Sequence, residues 1–178
     1  GNYRSMVLKQ DGSLWGTGRN HYGQLGDGSK TPRSSFVQVL SSGVTAVAVG
    51  LYHSIVLKQD ASVWSTGSNS RGQLGDGSST SKLSFTQVLP SGVTAVTAGG
   101  LHSMALKQDG SVWCTGYNSY GQLGDGSKTD RNSFVQVLSS GVTAVTAGLH
   151  HSMVLKQDGS LWSTGRNHYG QLGDGSSI

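Results

Sequence analysis

The chain has 178 residues, of which 28 are glycine and only 12% are charged, with 13 Lys+Arg against 9 acidic residues for a net charge of +4. All nine acids are Asp, Glu is absent, and 29 positions are serine. Glu favours helices and Gly costs roughly 1 kcal/mol per helical position, so the composition argues against a helical protein; no run approaches the ~20 apolar residues of a membrane-crossing helix, and regular Val, Leu, Trp and Tyr argue against disorder.

The elements then read as follows along the chain. The Asp11-Gly12 pair predicts a two-residue hairpin of type I′. A strand follows over 13–17, carrying Trp15, and a Gly-rich loop runs from Gly18 through Asn20 to Gly28. The next strand spans 35–40, and Ser41-Ser42-Gly43 turns the chain. Residues 44–49, Val-Thr-Ala-Val-Ala-Val, form a β-branched, small-residue strand, and 54–59 form another. The pattern then recurs. Trp15, Trp64, Trp113 and Trp162 are 49 residues apart, and Gly-Gln-Leu-Gly-Asp-Gly begins at Gly23, Gly72, Gly121 and Gly170. No insertion breaks the register.

A fixed period of 40–50 residues signals a propeller, solenoid or array. Four strands per period with no intervening helix match a β-propeller blade. The fold expected is therefore all-β, a propeller of four-stranded blades. The chain is read as one array with repeats 1–49, 50–98, 99–147 and a partial 148–178. It amounts to about 3.6 blades, so it is expected to be part of a larger protein or a protomer that completes its ring with a neighbour. Small inner-strand residues such as Ala46, Ala95 and Ala144 suit a crowded axis, and Trp15, Phe36, Leu40 and Met6 are expected to fill the wedge between blades.

The run Gly99-x-x-His102-Ser103, Leu106-Lys107, Asp109-Gly110, Trp113, Gly116, Asn118, Gly121-Gln-Leu-Gly-Asp-Gly126 resembles the repeat of the regulator of chromosome condensation family. The resemblance covers the whole chain and implies seven blades when complete, or 343 residues at this period. One departure is that Thr17, Thr66, Thr115 and Thr164 stand where many members carry a second aromatic residue. Guanine-nucleotide exchange, which the resemblance also suggests, uses an insertion in one blade, and the constant period contains none.

Neither catalysis nor a cofactor is expected. His53, His102 and His151 lie one repeat apart, with Arg4 in the first copy, and are read as structural, each bonding backbone of its own blade. One Asp per loop is too few for calcium, so Asp27, Asp76, Asp125 and Asp174 are read as turn-formers. The Gly-rich loop lacks a phosphate-binding helix and a Gly-Lys-Ser/Thr ending. Cys114 is alone, so no disulfide or zinc pattern exists.

Differences between internal copies point to loops. They fall at residues 2–4, 19–22 and 30–34 and at the equivalents of these. The candidate binding residues are Arg19, His21, Tyr22, Lys30 and Arg33 in the first copy, and Arg71 and Lys82 in the second. Tyr117, Tyr120, Lys128 and Arg131 belong to the third, and Arg166, His168 and Tyr169 to the fourth. Such residues suit protein interfaces or acidic partners. The leading expectation is a non-enzymatic scaffold that binds a protein or other macromolecule through its loops. The alternative is a self-assembling or multivalent carbohydrate-binding propeller. Nucleotide exchange ranks behind both, and nucleic acid stays open as a partner on charge alone.

Overall fold

The computed structural model describes residues 3–177. Among these residues the chain forms fourteen strands in four antiparallel sheets, with no helix. The first sheet holds β1 (Arg4–Leu8), β2 (Leu14–Gly18) and β3 (Arg33–Leu40). The second holds β4 (Val44–Val49), β5 (His53–Lys58), β6 (Val63–Gly67) and β7 (Lys82–Leu89). The third repeats this with β8 (Val93–Ala98), β9 (His102–Lys107), β10 (Val112–Gly116) and β11 (Arg131–Leu138). The fourth holds β12 (Val142–Ala147), β13 (His151–Lys156) and β14 (Leu161–Gly165). Each sheet is an up-and-down meander, one blade of a propeller.

The small-residue strands β4, β8 and β12 pack beside one another at the axis. There Leu51 N–H donates to Gly100 O at 3.1 Å, and Gly100 N–H donates to Leu149 O at 3.2 Å. Larger apolar residues fill the space between sheets. Ile55 and Val63 of the second blade pack with Ala105 and Phe134 of the third. Leu14 of the first blade packs with Val44, Val56 and Phe85 of the second.

The hairpins differ from type I′. Gly12 N–H donates to Lys9 O at 3.0 Å and Lys9 N–H to Ser13 O at 2.9 Å. Only Gly12 takes a positive φ, of 76°. This is a type I turn closed by a bulged glycine. Asp11 stays on the negative-φ side, where its carboxylate accepts the Ser13 N–H at 2.9 Å. Ala61 occupies the glycine's place in the second blade and adopts φ 61° all the same.

The expected wedge residues also divide. Met6 and Leu40 do pack against the core between the first two blades. Phe85 and Phe134 are buried, and a Cβ at Gly26 or Gly75 of the preceding blade would lie 2.5 Å from the respective ring. Phe36 of the first sheet is 46% exposed. Trp64 and Trp113 pack against the apolar clusters that lie between blades. Trp15, Trp64 and Trp113 are half-buried on the hairpin rim, and Trp162 is 53% exposed. Each indole N–H donates to a hairpin serine, as Trp64 does to Ser62 Oγ at 2.9 Å. Each ring carries a lysine ammonium, with Lys58 Nζ 4.0 Å from the Trp64 centroid.

Candidate functional site

Strand alternation sorts the connections onto two faces. The Gly-rich loops and the β4–β5 type links lie on one face, and the Asp-Gly hairpins and Ser-Gly turns lie on the other. Charge sorts with them. The hairpin face carries Lys9, Lys58, Lys107 and Lys156 against Asp11, Asp60, Asp109 and Asp158, and is neutral. The other nine cations and five aspartates lie toward the Gly-rich-loop face, which therefore carries the whole formal charge of +4.

Each Gly-rich loop is built around a buried asparagine. Asn20 Nδ2–H₂ donates to Asp27 Oδ1 at 2.9 Å, and Asn20 Oδ1 accepts the Leu25 N–H at 2.9 Å. Arg33 Nε donates to Asp27 Oδ2 at 2.7 Å. Lys82 holds Asp76 at 3.2 Å and Arg131 holds Asp125 at 2.7 Å in the same way. Burial resists ionisation of Asp125, but bonds from Ser127, Arg131 and Asn118 outweigh it and hold the carboxyl down at about 2. Arg33, Lys82 and Arg131 thus brace their own loops.

The histidine column joins blades. His53 Nε2 lies 2.9 Å from Ser103 Oγ of the next blade, and His102 Nε2 lies 2.9 Å from Ser152 Oγ. The expected bond to backbone of the same blade is replaced by this crossing, because the blade-to-blade gap brings the next serine to the ring. Ser103 Oγ donates its proton to Gln73 O at 2.8 Å, so His53 must donate from Nε2. Burial, with Arg4 nearby, depresses His53 to about 3, and burial with His150 and His151 depresses His102 to about 4. Arg4 extends the same link, reaching Leu51 O at 2.9 Å, His53 O and Ser54 Oγ. The threonines that replace the second aromatic also cross, with Thr66 Oγ1 donating to Gly23 O at 2.9 Å.

The remaining candidates meet in an arc over the blade boundaries. The Arg19 guanidinium lies 5.5 Å from the Tyr52 ring, which Tyr22 meets edge-on at 5.3 Å. Arg71 lies 5.2 Å from the Tyr117 ring, and Arg166 lies 5.4 Å from Tyr120 and 5.9 Å from Tyr169. Arg71 and Tyr120 occupy equivalent repeat positions, as do Tyr117 and Arg166. Successive boundaries therefore hold the same cation–π pair with its members exchanged. His150 sits 5.3 Å from Tyr120 and 6.1 Å from Tyr117. Its imidazole is held below the usual range by burial and then by Arg166 and His151. His168 meets Tyr169 at 4.9 Å, and Lys128 lines a groove with Tyr120, Arg166 and His168. His21 and Lys30 are exposed. Asn2, one of the variable positions, lies outside the described residues.

Tyr52 and His150 were absent from the candidate set. Their signal was the variation between copies just before each column histidine. No group of three or more His, Cys, Asp or Glu among the described residues is placed to hold a metal ion. Cys114 is buried, and burial drives its thiol up, far from a nucleophilic range.

Two models of the regulator of chromosome condensation (RCC1) repeat match the chain, one over residues 11–57, 60–106 and 109–155 and the other over 44–73, 93–122 and 142–171. No curated protein sequence matches it. Among solved structures, human WBSCR16 is 27% identical with a TM-score of 0.83, over 94% of this chain and 46% of that one. Prp20p from Saccharomyces cerevisiae is 23% identical with a TM-score of 0.86, over 99% of this chain and 46% of that one. Yeast RCC1 (Prp20) bound to Kap60 is 23% identical with a TM-score of 0.80, over 94% and 43%. The chain thus spans less than half the length of these structures.

Proposed function

The chain belongs to the regulator of chromosome condensation (RCC1) repeat family, and from that premise we propose that it is a non-enzymatic scaffold binding a protein through its Gly-rich-loop face. The observation that carries this is the arc of Arg–Tyr pairs, where residues that vary between copies converge on one charged surface. Tyr and Arg anchor protein interfaces because they offer large area and several bonds. The Prp20p structure was reported with binding to Gsp1p and histones, and yeast RCC1 with Kap60. Those partners support a protein ligand here without naming it. The neutral buried His53 and His102 and the turn-bound Asp27, Asp76 and Asp125 support the non-enzymatic reading.

A photo-crosslinker placed at Tyr120 should capture a partner that one placed at Trp64, on the hairpin rim, does not. Capture at Trp64 alone would reverse the assignment. The carbohydrate reading is weakened by the lysine over each indole, which covers one face of the ring a sugar would use.

A further inference from the structure

The three blade boundaries look alike in backbone but not in charge. At the first, the groove positions hold Tyr22, Lys30, Ser68 and Ser70; at the second they hold Arg71, Ser79, Tyr117 and Ser119. At the third they hold Tyr120, Lys128, Arg166 and His168, which line one groove together with Gly165. Of the three boundaries, the third alone has a lysine, an arginine and a histidine at these four positions. A site that breaks the symmetry of a repeated scaffold needs a reason beyond the scaffold.

We propose that the groove between the third and fourth blades binds a phosphate monoester carried by a protein partner, with Lys128 and Arg166 as its charge partners. This rests on reading the Gly-rich-loop face as the binding surface. Among the described residues no carboxylate lies within ion-pair distance of Lys128 or Arg166. The nearby aspartates are occupied, Asp125 by Arg131 at 2.7 Å and Asp130 by Arg71 at 3.4 Å. Two free cations therefore face a phosphoryl group of about −1.5 to −2 at neutral pH. The Arg166 guanidinium lies 5.4 Å from the Tyr120 ring and 5.9 Å from the Tyr169 ring, and its planar fork suits two phosphate oxygens. The Tyr120 hydroxyl and the His168 imidazole supply further donors at the rim.

A nucleic-acid strand is less well served. Bases stack on open aromatic faces, whereas Tyr52, Tyr117 and Tyr120 each have one face covered by an arginine. Nor does the sequence hold a run of Lys or Arg to follow a phosphodiester backbone.

Fluorescence anisotropy with a neutral labelled peptide carrying one phosphoserine, and with its serine twin, tests the site. The phosphopeptide should bind at least ten-fold tighter, and inorganic phosphate should displace it. Lys128→Ala, which removes no hydrogen bond or ion pair among the described residues, and Arg166→Gln should each weaken binding about ten-fold, equal to ~1.4 kcal/mol. Lys30→Ala, at the equivalent place on the first boundary, should leave it unchanged. Equal binding of the two peptides, or equal loss from Lys30→Ala, would overturn the proposal. So would a single-stranded oligonucleotide without terminal phosphate that binds as tightly as the phosphopeptide. If the peptides fail while a crosslinker at Tyr120 still captures a protein, the phosphate site is wrong and the scaffold reading stands; failure of both removes both.

Discussion

His53 Nε2 and Ser103 Oγ stand 2.9 Å apart across a blade boundary, although fifty residues separate them in sequence. The serine passes its own proton to Gln73 O in the first of these two blades. One hydroxyl thus ties a side chain and a loop of one blade to a strand of the next. Ser103→Ala leaves the His53 N–H and the Gln73 carbonyl buried without that partner. Each unsatisfied group costs about 1–3 kcal/mol, so the urea midpoint should fall clearly, and an unchanged midpoint would show the link to be idle.

Acid should loosen the same links before it reaches the carboxylates. His53 and His102 are depressed to about 3 and about 4, against an unfolded value of ~6.5. Their neutrality stabilises the fold above about pH 6.5, and that contribution is lost as pH falls toward 4 and below. The aspartates, also depressed, act lower, below about pH 4. Denaturation midpoints should therefore drop between pH 7.5 and 4.5, and His102→Gln should flatten the drop. A midpoint that rises over that interval would contradict the burial of neutral imidazoles.

Ala61 carries a positive φ of 61° where the other hairpins have glycine. Ala61→Gly relieves that strain and should stabilise the protein by about 0.5–1 kcal/mol. A lowered melting temperature would count against the left-handed geometry.

Two glycines with similar backbone angles should respond differently to alanine. Gly75 has φ 76°, and an added Cβ would lie 2.5 Å from the Phe134 ring. Gly141 has φ 80° and nothing within 4 Å. Gly141→Ala should cost about 1 kcal/mol from strain alone. Gly75→Ala should cost roughly 2–4 kcal/mol, because overpacking adds to it. Equal losses in chemical denaturation would mean that the Phe134 ring yields freely.

The tryptophans sit on a rim under lysines. Acrylamide should therefore quench a large part of the native fluorescence, Trp162 most of all. Trp64→Ala should cost less than the 3–5 kcal/mol of a buried aromatic. Strong shielding of all four indoles would contradict their partial exposure at the hairpin end.

The blade was legible in the sequence because its determinants are local and repeated. The small residues of β4, the Asp-Gly hairpins and the Gly-Gln-Leu-Gly-Asp-Gly run each report a backbone need within one copy. The turn type was not legible, because Asp-Gly fits both a two-residue turn and a bulged one, and the Asp11 bond to Ser13 decides between them. The His53–Ser103 link and the Arg71–Tyr117 pair depend on how one blade lies against the next, and no single copy contains that information. The loop candidates were visible as variation, but their division into braces such as Arg33 and surface residues such as Arg166 needed the positions of Asp27, Asp76 and Asp125.

Oxidative footprinting of the protein with and without its captured partner tests the choice of face most directly. Binding through the Gly-rich loops predicts protection of Tyr22, Tyr117, Tyr120 and Tyr169, with Trp15, Trp64 and Trp113 unchanged. Protection of the tryptophans with the tyrosines still open would place the partner on the hairpin face and contradict the assignment.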